Sequence, residues 1–261
     1  MILAAAPPLP PARAARDAGA IAEGELEHEL KIGFPASRAA EVLARLAALC
    51  VPDPLHPANT VASIYYDTLD LVSLYEKIDS HRAKVKYRLR WYEGLDGSAG
   101  DGPSFLEVKY RFGNRRAKRR LELPLTAAEL AVTPLTDPRL ADLPSRLWQI
   151  GVAPLPGLSP CVTVRYQRYR FTDPMASGAP PATRLSLDTG ILLAAGDPRR
   201  VAPHRYACLP MAVLEVKNRE GRLPRHLEPL LPPGWRLLSL SKYAACFLAA
   251  RGTRQLLLDT L

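Results

Sequence analysis

Four cations, Lys84, Lys86, Arg88 and Arg90, fall on every second residue of the segment Lys84-Val85-Lys86-Tyr87-Arg88-Leu89-Arg90-Trp91-Tyr92. In an extended chain this spacing puts all four on one face and Val85, Tyr87, Leu89 and Trp91 on the other. Like charges side by side on a sheet repel, so the arrangement costs stability unless an anion lies opposite. The segment therefore predicts a strand that faces an anionic ligand.

The same theme recurs along the chain. Glu107, Lys109 and Arg111 share a face, as do Lys118, Arg120 and Glu122, Arg168 and Arg170, Arg184 and Asp188, and Glu215 and Lys217. Near the start, Glu25, Glu27, Glu29 and Lys31 follow the same two-residue step. A solvated outer face explains any one of these strands. Together, if the sheet closes with these faces inward, they enclose many Lys and Arg with a minority of carboxylates. Buried charge at that density requires a highly charged ligand and counter-ions. Arg and Lys suit phosphate oxygens, and paired carboxylates suit Mg²⁺ or Mn²⁺, which bridge phosphates. A di-, tri- or polyphosphate with a divalent metal is the cargo this chemistry fits.

Positioning these groups requires strands, and period-two alternation predicts eight: Leu26–Phe34, Val61–Asp67, Lys84–Tyr92, Ser104–Phe112, Arg115–Leu123, Cys161–Phe171, Thr183–Leu193 and Ala212–Lys217. Phe112-Gly113-Asn114-Arg115 reads as a tight hairpin turn, since Gly and Asn tolerate positive φ. Apolar residues at helical spacing predict helices over Pro35–Cys50, Thr126–Leu130, Arg139–Ile150, Leu223–Leu231 and Ser241–Arg251. On the last of these, Tyr243, Phe247 and Leu248 form an apolar stripe that packs on the sheet and holds Ser241 and Lys242 at the helix N-terminus, which favours phosphate. Asp67 and Asp70 flank a turn and read as caps. Short turns and lone helices between strands predict an α+β, largely antiparallel barrel or sandwich. One domain spans 24–252, after an Ala/Pro-rich flexible leader over 1–23 and before a tail over 253–261.

Composition narrows the partners. Lys+Arg number 35 against 26 Asp+Glu in 261 residues, a formal charge of +9, and 48% hydrophobic residues exclude a disordered chain. The longest apolar stretch, Tyr243–Ala250, is far short of the ~20 residues a bilayer span needs. The leader lacks a secretory signal. The four cysteines form no CxxC pair, and Cys50 and Cys246 sit on apolar helical faces as buried free thiols, which favours a cytoplasmic setting. The histidines have no zinc spacing, and neither GxxxxGK[ST] nor GxGxxG occurs. Nucleic acid is disfavoured because Tyr87 and Trp91 lie opposite the charges, where they pack against helices. The basic run Asn114–Arg120 reads as part of a hairpin strand rather than a localisation signal.

With those residues assembled, the chain resembles the triphosphate tunnel metalloenzyme (CYTH-like) superfamily, and within it the VTC domain, the polyphosphate polymerase domain of the vacuolar transporter chaperone. The matching pieces run in order: Glu29-Leu30-Lys31, Ser63-Ile64-Tyr65-Tyr66-Asp67-Thr68, Lys86-Tyr87-Arg88-Leu89-Arg90, Phe105-Leu106-Glu107-Val108-Lys109 and Lys118-Arg119-Arg120. Tyr166-Gln167-Arg168, Arg184-Leu185-Ser186-Leu187-Asp188, Leu214-Glu215-Val216-Lys217 and Ser241-Lys242-Tyr243 complete the set, which covers about Glu25 to Ala250.

The resemblance implies an eight-stranded antiparallel β-barrel tunnel with flanking helices. Its implied reaction moves the γ-phosphoryl of ATP onto a polyphosphate chain with Mn²⁺ or Mg²⁺. It assigns Arg88, Arg90, Lys109, Arg184 and Lys242 to the reacting phosphates, and Lys31, Lys86, Arg120, Arg168, Lys217 and Ser241 to further phosphate contacts. Glu215 is the implied metal ligand, with Glu29, Glu27, Glu107 and Asp188 beside it; Glu107 and Asp188 serve equally to orient Lys and Arg. One departure is Glu27-His28-Glu29-Leu30-Lys31, which fits the ExExK signature of the CYTH branch, whose members hydrolyse triphosphates or cyclise ATP. Glu27 either recruits a second metal and favours water as acceptor or pairs with a neighbouring Arg. A metal-dependent triphosphatase and a non-catalytic polyphosphate-binding module are the alternative readings. Any coupling to a membrane transporter falls to unidentified protein partners.

Overall fold

Each alternating segment of the sequence forms a strand, because one apolar face needs cover and one charged face does not. The computed structural model describes residues 28–100, 102–112, 115–175, 183–201 and 208–252. The leader over 1–23, Glu25, Glu27, the hairpin residues Gly113 and Asn114, and the tail over 253–261 lie outside them. The strands are β1 (His28–Pro35), β2 (Val51–Pro52), β3 (Ala58–Asp67), β4 (Ala83–Glu93), β5 (Pro103–Phe112), β6 (Arg115–Thr126), β7 (Ser159–Thr172), β8 (Arg184–Gly196), β9 (Met211–Asn218) and β10 (Arg236–Leu237). They pair antiparallel in the order β10-β1-β9-β8-β7-β3-β4-β5-β6, with β2 added on β7.

Two expectations are corrected here. The sheet has ten strands among the described residues rather than eight, the additions being the two-residue β2 and β10. It is also not a closed barrel: the hydrogen-bonded path ends at β6 on one side and β10 on the other. The reason lies at the edge of β1. Ile32 and Gly33 pair with Leu237 and Arg236, and Leu238 N–H donates to Lys31 C=O at 2.7 Å. That occupies the backbone groups a closing β6 would need. The Leu238 and Met211 side chains pack into the space a Cβ at Gly33 would take. The sheet nevertheless curls until Glu29 on β1 meets Lys109 on β5, 3.4 Å apart across its hollow.

The outer face is apolar and covered by helices. Tyr66, Tyr87, Leu89, Trp91 and Leu106 pack with Leu130 of α3 (Ala127–Val132), Leu140 of α4 (Pro138–Asp142) and Leu147 of the following 3₁₀ segment Leu143–Ile150. The expected single helix Arg139–Ile150 is thus two pieces, divided where Pro144 removes a backbone donor. Val42 and Leu46 of α1 (Ala39–Leu49) pack with Ile32, Phe34, Leu214 and Leu227 over β1 and β9.

The inner face is divided. One end is filled by α5 (Lys242–Ala250) and by α2 (Val72–Ile78), with Val61, Tyr65, Val164, Tyr166 and Val213 around them. The apolar stripe expected on α5 understates its burial: every residue from Lys242 to Leu248 is buried. Helix α2 was not expected, although Leu71, Leu74, Tyr75 and Ile78 carry helical spacing over its short length. Asp67, expected to cap a turn, accepts from Thr68 N–H at 2.9 Å and also from the first-turn N–H groups of Ser73 and Leu74 at 2.9 and 3.1 Å. No helix among the described residues is long and apolar enough to cross a membrane. The four cysteines are free thiols, three of them buried and Cys208 exposed.

Candidate functional site

Beside α2 and α5, the inner face carries the charged side chains in three groups. The first is a cross-strand row in which Arg88, Glu107 and Arg120 stand in register on β4, β5 and β6. Glu107 Oε2 accepts from Arg88 Nε at 2.7 Å, Oε1 accepts from Arg120 Nε at 2.9 Å, and Lys118 Nζ lies 3.7 Å from Oε1. Burial would raise the Glu107 pKa, but Arg88, Arg90 and Lys118 outweigh it and bring it to about 2. Next along β4, Arg90 is buried and donates to Ser63 Oγ at 3.1 Å and Tyr166 OH at 3.3 Å.

The second group is a closed network of two cations and two carboxylates. Arg168 donates to both oxygens of Asp188 at 2.6 and 2.7 Å, and to Glu215 Oε2 at 2.7 Å. Lys242 Nζ lies 2.5 Å from Asp188 Oδ2 and 2.8 Å from Glu215 Oε1. Both cations lie beside the Tyr166 ring, 5.4 and 4.9 Å from its centroid. Burial opposes the charge on Glu215, yet Lys242, Arg168 and Lys31 hold its carboxyl well below the usual range.

The third group lines a cavity of about 210 Å³ bounded by Lys31, Lys77, Lys84, Lys86, Lys109, Arg111 and Glu29, with the Leu238–Leu240 segment. Six cations face one carboxylate. Glu29 lies 3.5 Å from Lys31 and 3.4 Å from Lys109; burial works against its charge, but these lysines pull its pKa down to about 2. Lys31 Nζ donates to Leu240 C=O at 2.9 Å, Lys86 Nζ to Ser241 Oγ at 2.8 Å and Lys77 Nζ to Ser239 Oγ at 3.3 Å. Burial first, then Lys31, Lys109, Lys77 and Arg88, pushes Lys86 well below the ordinary lysine range. Burial, with Lys31 and Arg88 adding repulsion beyond the help of Glu29, brings Lys109 to about 8.

The expected site residues therefore meet in one hollow with distinct surroundings. Lys31, Lys86, Lys109 and Glu29 line the cavity; Arg168, Asp188, Glu215 and Lys242 form the closed network; Arg88, Glu107 and Arg120 form the row. Ser241 caps α5, accepting from Ala244 N–H at 3.4 Å. Lys217 stands half-buried in register with Glu29, and Arg184 is exposed at the start of β8, opposite Lys217. Glu27 is outside the described residues. Asp188 and Glu107 each hold two or more cations, as Glu215 and Glu29 also do. Lys77 was missed, because α2 was missed; a buried lysine in an otherwise apolar helical pattern is the signal that points to it.

Carboxylate oxygens that suit Mg²⁺ or Mn²⁺ are present at Glu29 and Glu215. They lie diagonally across β1 and β9, since Glu29 pairs with Lys217 and Lys31 with Glu215. They are close enough that the charge on Glu215 opposes that on Glu29. Among the described residues no group of three or more His, Cys, Asp or Glu is placed to hold a metal alone. The pair fits the mode in which one or two carboxylates share a cation with substrate phosphates.

Among solved structures, the chain is similar to a Hippeastrum protein described as an adenylyl cyclase with a dominant triphosphatase activity, at 16% identity and TM-score 0.46, covering 87% of this chain and 96% of that one. It is also similar to proteins described as adenylate cyclases from Vibrio parahaemolyticus and Bacillus halodurans. The first has 12% identity, TM-score 0.38 and coverage of 89% of each chain. The second has 14% identity and TM-score 0.40, covering 76% of this chain and 82% of that one. No curated protein matches the chain. The family model of the VTC domain matches residues 27–250, and the chain belongs to that family.

Proposed function

We propose that the protein is a phosphotransferase of the polyphosphate polymerase type, moving the γ-phosphoryl of ATP onto a polyphosphate chain in the hollow of the sheet. The observation that carries this reading is the lysine cavity. Arg88, Arg168 and Lys242 are already matched by carboxylates, whereas the cavity beyond them is lined by Lys31, Lys77, Lys84, Lys86 and Lys109, with Glu29 as the carboxylate in its lining. That imbalance suits a second polyanion, which a polymerase needs as acceptor and a hydrolase, using water, does not. VTC family membership supports the same reading.

The chain's own groups act by position and charge. Arg88 is held by Glu107 and Arg168 by Asp188, so their guanidiniums are fixed before substrate arrives and need little reorganisation as charge spreads over the transferred group. Lys86, Lys109 and Lys31 hold the acceptor end, with Ser241 as a further oxygen contact. Glu29 and Glu215 would hold Mn²⁺ or Mg²⁺, which would supply positive charge to offset the negative charge of the phosphates. No protein nucleophile is invoked. The unpaired buried thiols favour a reducing compartment, the cytoplasm.

Incubation of the purified chain with ATP and Mn²⁺, followed by a gel stained for long polyphosphate, tests this reading. Chains longer than the nucleotide's own triphosphate are expected. Orthophosphate as the sole product overturns the polymerase and leaves the triphosphatase, the reading that the ExExK residues Glu29 and Lys31 favour.

A further inference from the structure

The hollow ends, away from the lysine cavity, in an aromatic rim. Along the inner face of β4, Lys84 and Lys86 line the cavity, Arg88 and Arg90 follow, and Tyr92 is last. On β5, Phe105 stands in register with Arg90 and shares its face. Tyr92 and Phe105 meet edge to face with ring centroids 6.3 Å apart, and both are half-buried.

Arg120 lies across this rim, its Cζ 3.7 Å from the Phe105 centroid. Its Nε–H is taken by Glu107 and one terminal nitrogen donates to Tyr92 OH at 3.3 Å. The fork these two bonds occupy is the one that would grip a phosphate bidentately from that side. Two of its five N–H donors are thus engaged and one π face is covered by Phe105, while the side chain is 36% exposed, so its opposite face can meet a ligand. A guanidinium plane of this kind takes a flat π system by stacking. Arg170 adds to the rim: its Cζ is 6.0 Å from the Tyr92 centroid, and its Nη1 donates to Asn59 Oδ1 and His56 C=O at 3.2 and 3.1 Å.

The geometry points to a nucleobase subsite at this rim, in which the guanidinium of Arg120, backed by Phe105 and steadied by Tyr92, stacks on the base of a bound nucleoside triphosphate. It rests on the proposed reading of the hollow as a triphosphate site. It also orients the ligand, with the base at the Tyr92 end and the terminal phosphate toward the lysines.

Affinities for ATP and for inorganic tripolyphosphate, measured by calorimetry on the wild-type chain and on Phe105→Leu, test the subsite. Wild type is expected to bind ATP about tenfold more tightly, the worth of one stacked base. Phe105→Leu is expected to erase that preference while leaving tripolyphosphate binding unchanged. Arg120→Lys, which keeps the charge and loses the plane, is expected to lower the ATP-to-tripolyphosphate ratio in the same way. Equal wild-type affinity for the two ligands, or equal losses for both in Phe105→Leu, overturns the subsite and leaves the triphosphate site standing. Failure of both ligands to bind wild type overturns the site itself, and the subsite with it.

Discussion

Lys242 Nζ lies 2.8 Å from Glu215 Oε1, so the first residue of the plugging helix is tied to β9. The same ammonium reaches Asp188, and Arg168 closes the network from the other side. Such a network is costly to break from one side, because the remaining charges stay buried without a partner.

Lys242→Met should therefore cost about 3 kcal/mol of stability. Adding Asp188→Asn to it should recover much of the loss, since one uncompensated carboxylate is then neutral. Urea unfolding of the two variants checks this. A double variant no more stable than the single one would show that charge imbalance is not the cause.

Glu107 sets an acid limit on stability. Its folded pKa, about 2, is below the ordinary carboxylate value of 4.5, so its contribution is fully present above 4.5 and is lost as pH falls toward 2. The loss should be on the order of 2–3 kcal/mol for this buried group. Urea midpoints from pH 6 to 2.5 should fall steeply in wild type and less so in Glu107→Gln, which is already destabilised at neutral pH.

Tripolyphosphate binding without divalent metal should weaken as pH rises through about 8. Lys109 loses its proton near that value in the unliganded cavity, where burial and Lys31 disfavour its charge, whereas the bound anion demands the charge. Lys109→Arg should move the fall to higher pH, because a guanidinium does not titrate there. Glu76, raised to about 7 by burial, titrates nearby, and the difference between wild type and the variant isolates the lysine.

Arg88→Lys should lower turnover of ATP by about 10²-fold, the typical loss on removing one preorganised charge donor. Lysine keeps the charge but not the fork that Glu107 holds. Steady-state kinetics with Mn²⁺ read this directly, and wild-type turnover would remove Arg88 from the reaction.

Tyr243→Phe should cost about 1–2 kcal/mol, because Tyr243 OH donates to the buried Asp67 carboxylate at 2.7 Å. Asp67 also accepts from the first turn of α2, which carries Lys77 into the cavity, so tripolyphosphate affinity should also fall a few-fold. Thermal denaturation and calorimetry measure the two effects separately.

The strands were legible because alternation is a local property: the charged face of Lys84–Arg90 and the apolar face of Tyr87–Trp91 separate wherever the chain is extended. The outward packing of Tyr87 and Trp91 followed from that parity alone. Helix α2 was not read, since seven residues carry too few turns of period, and Lys77 was lost with it. Closure was misjudged for a non-local reason: residues 236–238 reach β1 from some two hundred positions away and take the edge that β6 would have used.

The sequence by itself determined that Lys, Arg and a few carboxylates share one face of most strands, which is what points to a polyanionic ligand in the proposed reading. Tertiary structure decided which cations arrive already paired. The curl of the sheet matches Arg168 with Asp188 and Arg88 with Glu107, while it leaves Lys31, Lys86 and Lys109 around one shared carboxylate. Pairing depends on distances between strands remote in the chain, which period two does not encode, and those distances separate the paired arginines from the lysine-lined cavity.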